Sequence, residues 1–105
     1  MLTHLDIDRV RDILVSQFSP KAIYLFGSYA QGRASDESDL DLLVVDRDEV
    51  YSKNRSLEMN LSLFPRKYSL DLLCFSEQQF KRKVQEKRLF FNNLIKTGRK
   101  IYEQP

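Results

Sequence analysis

Apolar residues recur every three or four positions near the start of the chain, at Ile7, Val10, Leu14 and Phe18, with Ile13 beside them. This period predicts an amphipathic helix over about residues 5–18, ended by Ser19-Pro20. The pattern then changes. Ala22-Ile23-Tyr24-Leu25-Phe26 is a short continuous apolar run closed by Gly27, and Leu40-Asp41-Leu42-Leu43-Val44-Val45 is a second. Both read as strands. Asp46, with Glu49 three residues on, reads as a helix N-cap. Val50, Leu57, Leu61 and Phe64 then supply a helical stripe that Pro65 stops. Tyr68 to Phe75 is a third strand. Ser76 and Gln79 form a capping box ahead of Phe80 and Val84. Phe90, Phe91, Leu94 and Ile95 form another stripe with Gly98 as its C-terminal stop, and Ile101 and Tyr102 suit a final extended segment. The order helix, strand, strand, helix, strand, helix, helix predicts a small α/β or α+β layered domain.

A length of 105 residues predicts one domain with a single core. Hydrophobic content of 42% and charged content of 30% are those of an ordinary soluble protein. No apolar run approaches the roughly 18 residues of a membrane helix. Met1 to Asp6 is neither basic nor followed by an apolar h-region, so no signal peptide is expected. The lone Cys74 excludes an internal disulfide and reads as a small buried hydrophobe. Together these predict a cytoplasmic protein without membrane contacts.

Charge divides the chain. Residues 1–50 hold five Lys/Arg against ten Asp/Glu, a net −5, while residues 51–105 hold twelve against five, a net +7. The basic half is densest from Lys81 to Arg88. That run is either a solvated helix face or a surface for a polyanion or acidic partner. Its aromatic residues are not interleaved in a nucleic-acid module pattern, so nucleic acid is not the expected partner.

The chemistry concentrates between the first two strands. Gly27-Ser28 is followed, after ten residues, by Asp39-Leu40-Asp41. Gly27 permits a turn closed to residues with a Cβ, and the Ser28 hydroxyl with neighbouring N–H groups can donate to phosphate oxygens. An ordinary strand-to-helix turn capped by Ser28 would look the same locally. Asp39 and Asp41, two apart on a strand, point to one face and can share a hard cation. Alone they could equally be exposed caps or partners of arginines.

Asp71 changes the weighing. It lies in the third strand among Leu70, Leu72, Leu73 and Cys74, where a carboxylate needs a partner. If that strand lies beside the second, Asp71 reaches the face of Asp39 and Asp41, and three carboxylates together call for cations. Oxygen ligands without nearby His or Cys favour Mg²⁺ or Mn²⁺ over Zn²⁺. The cluster suits a two-metal site, with ions roughly 3.5–4 Å apart, for in-line displacement at phosphorus. Arg33 could contact a triphosphate or the reacting partner, or pair with Asp36 or Glu37. Ser38 could orient the start of the strand. His4, the only histidine, reads as a surface residue, against a His-based hydrolase or a zinc site.

Taken together, Gly27-Ser28, Asp39-Leu40-Asp41 and Asp71 resemble the nucleotidyltransferase superfamily that includes DNA polymerase β. The Phe-Gly-Ser…Ser-Asp-Leu-Asp-Leu-Leu-Val wording resembles its minimal, MNT-type members, and the resemblance runs from about Ile7 to Tyr102. It implies a small mixed β-sheet packed with helices, in which the Asp39/Asp41 strand neighbours the Asp71 strand. It implies that Asp39 and Asp41 bind two Mg²⁺ ions, that Asp71 completes the catalytic metal and helps activate the attacking hydroxyl, and that Gly27 and Ser28 hold the β- and γ-phosphates. Arg33 and Ser38 join the nucleotide-binding set. Many relatives carry arginine where this chain has Tyr29 and Gln31, which bears on phosphate and partner contacts outside the metal site. Minimal members are similar to antitoxins encoded with a helical HEPN-type partner, and some transfer AMP from ATP to a tyrosine of that partner. So short a chain has little surface left for recognising an acceptor, which suits an acceptor that is itself a protein. A binding module acting by steric contact, and transfer to a small molecule or RNA with a homo-oligomer completing the site, are the alternatives.

Overall fold

In the computed structural model, which describes residues 1–50, 53–86 and 88–105, four strands form one mixed sheet. The first helix, α1, spans His4–Phe18. Thr3 caps it, accepting from the Asp6 N–H while the Asp6 carboxylate accepts from the Thr3 N–H, and Ser19 closes it in the left-handed conformation at φ 47°. Strand β1 is Ala22–Phe26, the one-turn helix α2 is Gly27–Ala30, and β2 is Leu40–Asp46. After a 3₁₀ turn at Asp48–Val50 come α3 (Arg55–Ser62), β3 (Leu70–Ser76), α4 (Glu77–Gln85), α5 (Leu89–Thr97) and β4 (Arg99–Glu103).

The strand order is β3-β2-β1-β4. β2 and β3 are parallel, as a pair joined by a crossover through α3 can be, while β1 runs antiparallel to both β2 and β4. The segment around Ile101 and Tyr102 is thus a paired edge strand. Gly98 lets it turn: a Cβ there would stand 2.5 Å from the Leu94 carbonyl oxygen and 2.9 Å from that of Leu25.

Alternation along the strands divides the core. Ile23, Leu25, Leu40, Leu42 and Val44 pack with Ile7, Val10, Leu14 and Phe18 of α1 and Met59 of α3. Ala22, Leu43 and Val45 face the other way, toward Phe91 and Leu94 of α5 and Phe80 and Val84 of α4. Aromatic contacts knit this second layer. Tyr24 stacks on Phe80 at 5.5 Å, and Phe91 meets Phe75 and Phe80 edge-on. The Ser76 capping box starts α4 as predicted.

Two sequence expectations are corrected. Asp46 caps no helix. It ends β2 fully buried, its Oδ2 accepting from Arg55 Nε at 2.6 Å and its Oδ1 from the Arg47 N–H at 3.0 Å. Arg55 also donates to the Phe18 carbonyl and lies 4.8 Å over the Phe18 ring. This pair joins the ends of α1 and β2 to the start of α3. It also sets the rotation of α3, because Arg55, Met59 and Leu63 lie four apart and face inward. The stripe of Leu57, Leu61 and Phe64 therefore faces outward, each more than half exposed. Likewise α5 buries Phe91 and Leu94 and leaves Phe90 and Ile95 exposed. In the basic run, Lys81 and Arg82 are exposed on α4, Lys83 lies over the Phe75 ring, and Lys87 falls outside the described residues.

Candidate active site

The sheet register assembles the site. Phe26 of β1 is the direct partner of Asp41 on β2, and Asp41 is the direct partner of Asp71 on β3. Directly opposed residues share a face, so Phe26, Asp41 and Asp71 form one row across three strands. The next row, Tyr24, Leu43 and Leu73, lies under α4 and α5. The acidic row comes next, touched by α5 at its Phe26 end, through Phe90. Asp71 is not in mid-strand as the sequence suggested: β3 begins at Leu70, so Asp71 is its second residue and is exposed. Asp39, just before β2, is also exposed.

Asp41 carries the clearest electrostatic signature. Burial raises its pKa to about 6, and the charges of Asp71 and Asp39 push in the same direction. No ion pair or side-chain hydrogen bond engages Asp39, Asp41 or Asp71 among the described residues. Three neighbouring carboxylates are left without a counter-charge, an oxygen-only set that in its chemistry fits a hard divalent cation. Among the described residues no three such ligands converge as a ready-made cage. The fit is therefore one of donor type and charge.

Gly27 sits against this set. Its φ is +70°, which a side chain disfavours, and a Cβ there would lie 2.1 Å from Asp41 Oδ2. The positive φ favours glycine, a Cβ would force the Asp41 carboxylate to move, and the backbone at the head of α2 comes directly beside that carboxylate. Ser28 does not cap this helix: Phe26 holds the N-cap position, without a side-chain cap bond. The N–H groups of the first turn have no acceptor within the helix.

The loop between α2 and β2 positions Asp39. Ser35 N–H donates to Ser38 Oγ at 2.8 Å and Ser38 N–H to the Ser35 carbonyl at 3.1 Å, a reciprocal turn immediately before Asp39. Leu40 N–H donates to the Ser69 carbonyl at 2.8 Å and ties the heads of β2 and β3 together. Arg33 is bonded through its guanidinium to Gln31 Oε1, and its N–H donates to the Ser28 carbonyl. Among the described residues it pairs with neither Asp36 nor Glu37. His4 is exposed in the first turn of α1. Burial, with the Asp46 charge adding to it, pushes the Cys74 thiol up to about 12, so it is an inert packing group.

Two features were not read from the sequence as belonging here. In the sequence Phe26 ends a strand and opens the Phe-Gly-Ser wording, and Phe90 belongs to an apolar helical stripe. Edge-on contact at 5.6 Å puts Phe90 beside the row through Phe26. The sequence signal was the placement of Phe26 directly before Gly27.

Residues 8–105 match the family described as polymerase beta, nucleotidyltransferase. The chain is 35% identical over 85 residues to the provisionally named protein adenylyltransferase MJ0604 of Methanocaldococcus jannaschii, a match covering 78% of each. Two solved structures share the fold. One is a toxin–antitoxin complex with AMP-PNP, with a TM-score of 0.66 and 20% identity, covering 92% of this chain and 73% of that one. The other is the toxin–antitoxin MntA-HpeT bearing a point mutation, with a TM-score of 0.65 and 20% identity, covering 99% and 75%. The chain belongs to the polymerase beta nucleotidyltransferase family and is a nucleotidyltransferase. No helix among the described residues is long and apolar enough to cross a membrane.

Proposed function

We propose that this protein transfers AMP from ATP to a hydroxyl of a partner protein, as the antitoxin of a pair whose other member is an HEPN-type helical protein. The observation that carries the proposal is the row of Asp41 and Asp71 against Gly27 with Asp39 nearby, three carboxylates with no counter-charge among the described residues beside a turn a phosphate can approach. The adenylyltransferase relative and the toxin–antitoxin neighbours support the choice of nucleotide and acceptor.

Asp39, Asp41 and Asp71 would hold Mg²⁺, which when bound supplies neutralisation of the phosphate charge. Gly27 and Ser28 offer first-turn N–H groups and the Ser28 hydroxyl to the β- and γ-phosphates. Arg33 and Ser38 flank the nucleotide from the loop. Asp71, exposed at the outer end of the row, faces the acceptor and receives its hydroxyl proton. The acceptor oxygen bonds to the α-phosphorus as the bond to the β-phosphate oxygen breaks, and pyrophosphate leaves. Fixed positioning and charge neutralisation supply the rate. Purified protein mixed with ATP, Mg²⁺ and the protein encoded beside it should add one AMP to that partner by intact mass. A partner of unchanged mass, with both proteins folded, defeats the proposal.

The outward stripe of Leu57, Leu61 and Phe64 favours a second reading, neutralisation by contact alone. The double variant Asp39→Asn, Asp41→Asn separates the two. Loss of neutralisation supports transfer, and retained neutralisation supports contact.

A further inference from the structure

We propose that Phe90 of α5 is the platform on which the base of the bound nucleotide stacks. The inference rests on the nucleotidyl-transfer reading and adds the position of the base. Phe26 is at once the direct partner of Asp41 and the residue before Gly27. The Phe90 ring stands edge-on to Phe26 at 5.6 Å and to Phe91 at 5.0 Å. A cross-strand neighbour and one further ring contact put Phe90 on the order of 10 Å from Asp41. A nucleotide spans a comparable distance from its α-phosphorus to its base.

The ring is held from two sides, yet 43% of Phe90 stays exposed. It is the exposed aromatic of a layer whose other rings, Tyr24, Phe75, Phe80 and Phe91, are at least partly covered by one another. A ring already fixed loses little freedom when a base lies on it. Leu89, the residue before it, is also apolar and 77% exposed. A base presents the flat π-face such a ring accepts, whichever base it is.

The test uses the full chain and isothermal titration with two probes, Mg²⁺·AMP-PNP and Mg²⁺·tripolyphosphate. Phe90→Ala should weaken AMP-PNP binding about tenfold, the usual scale for one lost stacking partner, and leave tripolyphosphate unchanged. Phe90→Tyr, which keeps the ring, should bind both like the parent chain. Equal weakening of both probes by Phe90→Ala would mean that the ring only supports the site, and overturns the proposal. Unchanged AMP-PNP affinity overturns it too, and weaker partner binding in that case would assign the ring to the acceptor protein. If the parent chain binds neither probe, the nucleotidyl-transfer reading falls and this inference falls with it.

Discussion

Two aspartates on β2 meet opposite fates. Asp46, at one end, is fully buried and answered by Arg55 at 2.6 Å and by the Arg47 N–H. Asp41, five residues earlier, is half-buried, answered by no cation among the described residues, and crowded by Asp71 and Asp39. The same residue type on the same strand serves as a structural pin in one place and an unbalanced charge in the other. A fold tolerates the second arrangement at a cost in stability, and such costs collect where a ligand supplies the missing charge.

The largest effect should separate the two by activity. Asp41→Asn should lower AMP transfer at least about 1,000-fold, roughly 4 kcal/mol of barrier, with the fold intact by circular dichroism. Activity near the parent level would remove Asp41 from the chemistry. Next comes stability. Asp46→Ala leaves Arg55 facing a vacated buried site, and about 3 kcal/mol should be lost in denaturant unfolding. A loss below 1 kcal/mol would show that the pin holds little.

The third prediction reverses the sign. The folded-state pKa of Asp41 lies above its ordinary value of 3.8, at about 6. The folded state therefore binds the proton more tightly than the unfolded state. The favourable contribution is complete below about pH 4 and is lost as pH rises through 6. In metal-free buffer, Asp41→Asn should thus be more stable than the parent at pH 7.5, by about 1 kcal/mol once solvent screening of this half-buried group is allowed for. The gain should vanish near pH 4. A variant that is less stable at pH 7.5 would mean that the carboxylate is satisfied in a way the contacts do not reveal. The smallest effect belongs to the outward stripe. Leu61→Lys should change stability by less than about 0.5 kcal/mol, since Leu61 is 58% exposed.

The contrast between these aspartates also marks what the sequence could tell. Asp39, Asp41 and Gly27-Ser28 stand out as candidates because strand alternation and short spacing determine their neighbours, whereas Asp71 stands out only as a carboxylate among apolar residues. The sequence reading made Asp46 a cap because its partner, Arg55, lies nine residues away in a segment whose rotation depends on that pairing. The same dependence misled the reading of α3: Leu57, Leu61 and Phe64 fit a helical period as well as Met59 and Leu63 do, and only tertiary contact chooses between the faces. The Thr3 cap corresponds to a local Thr-x-x-Asp pattern. The register that sets Phe26, Asp41 and Asp71 in line is a property of three strands together, which no local pattern encodes.

Under the proposed function, Asp41 binds a divalent cation. Thermal unfolding at pH 7.5, with and without saturating Mg²⁺, tests it most directly. Binding to the folded state alone should raise the melting temperature of the parent chain by several degrees, at about 4–8 °C per kcal/mol for a domain of this size. Asp41→Asn should abolish that rise, and Leu61→Lys should keep it. An equal rise in parent and Asp41→Asn, or none in the parent, would contradict the account.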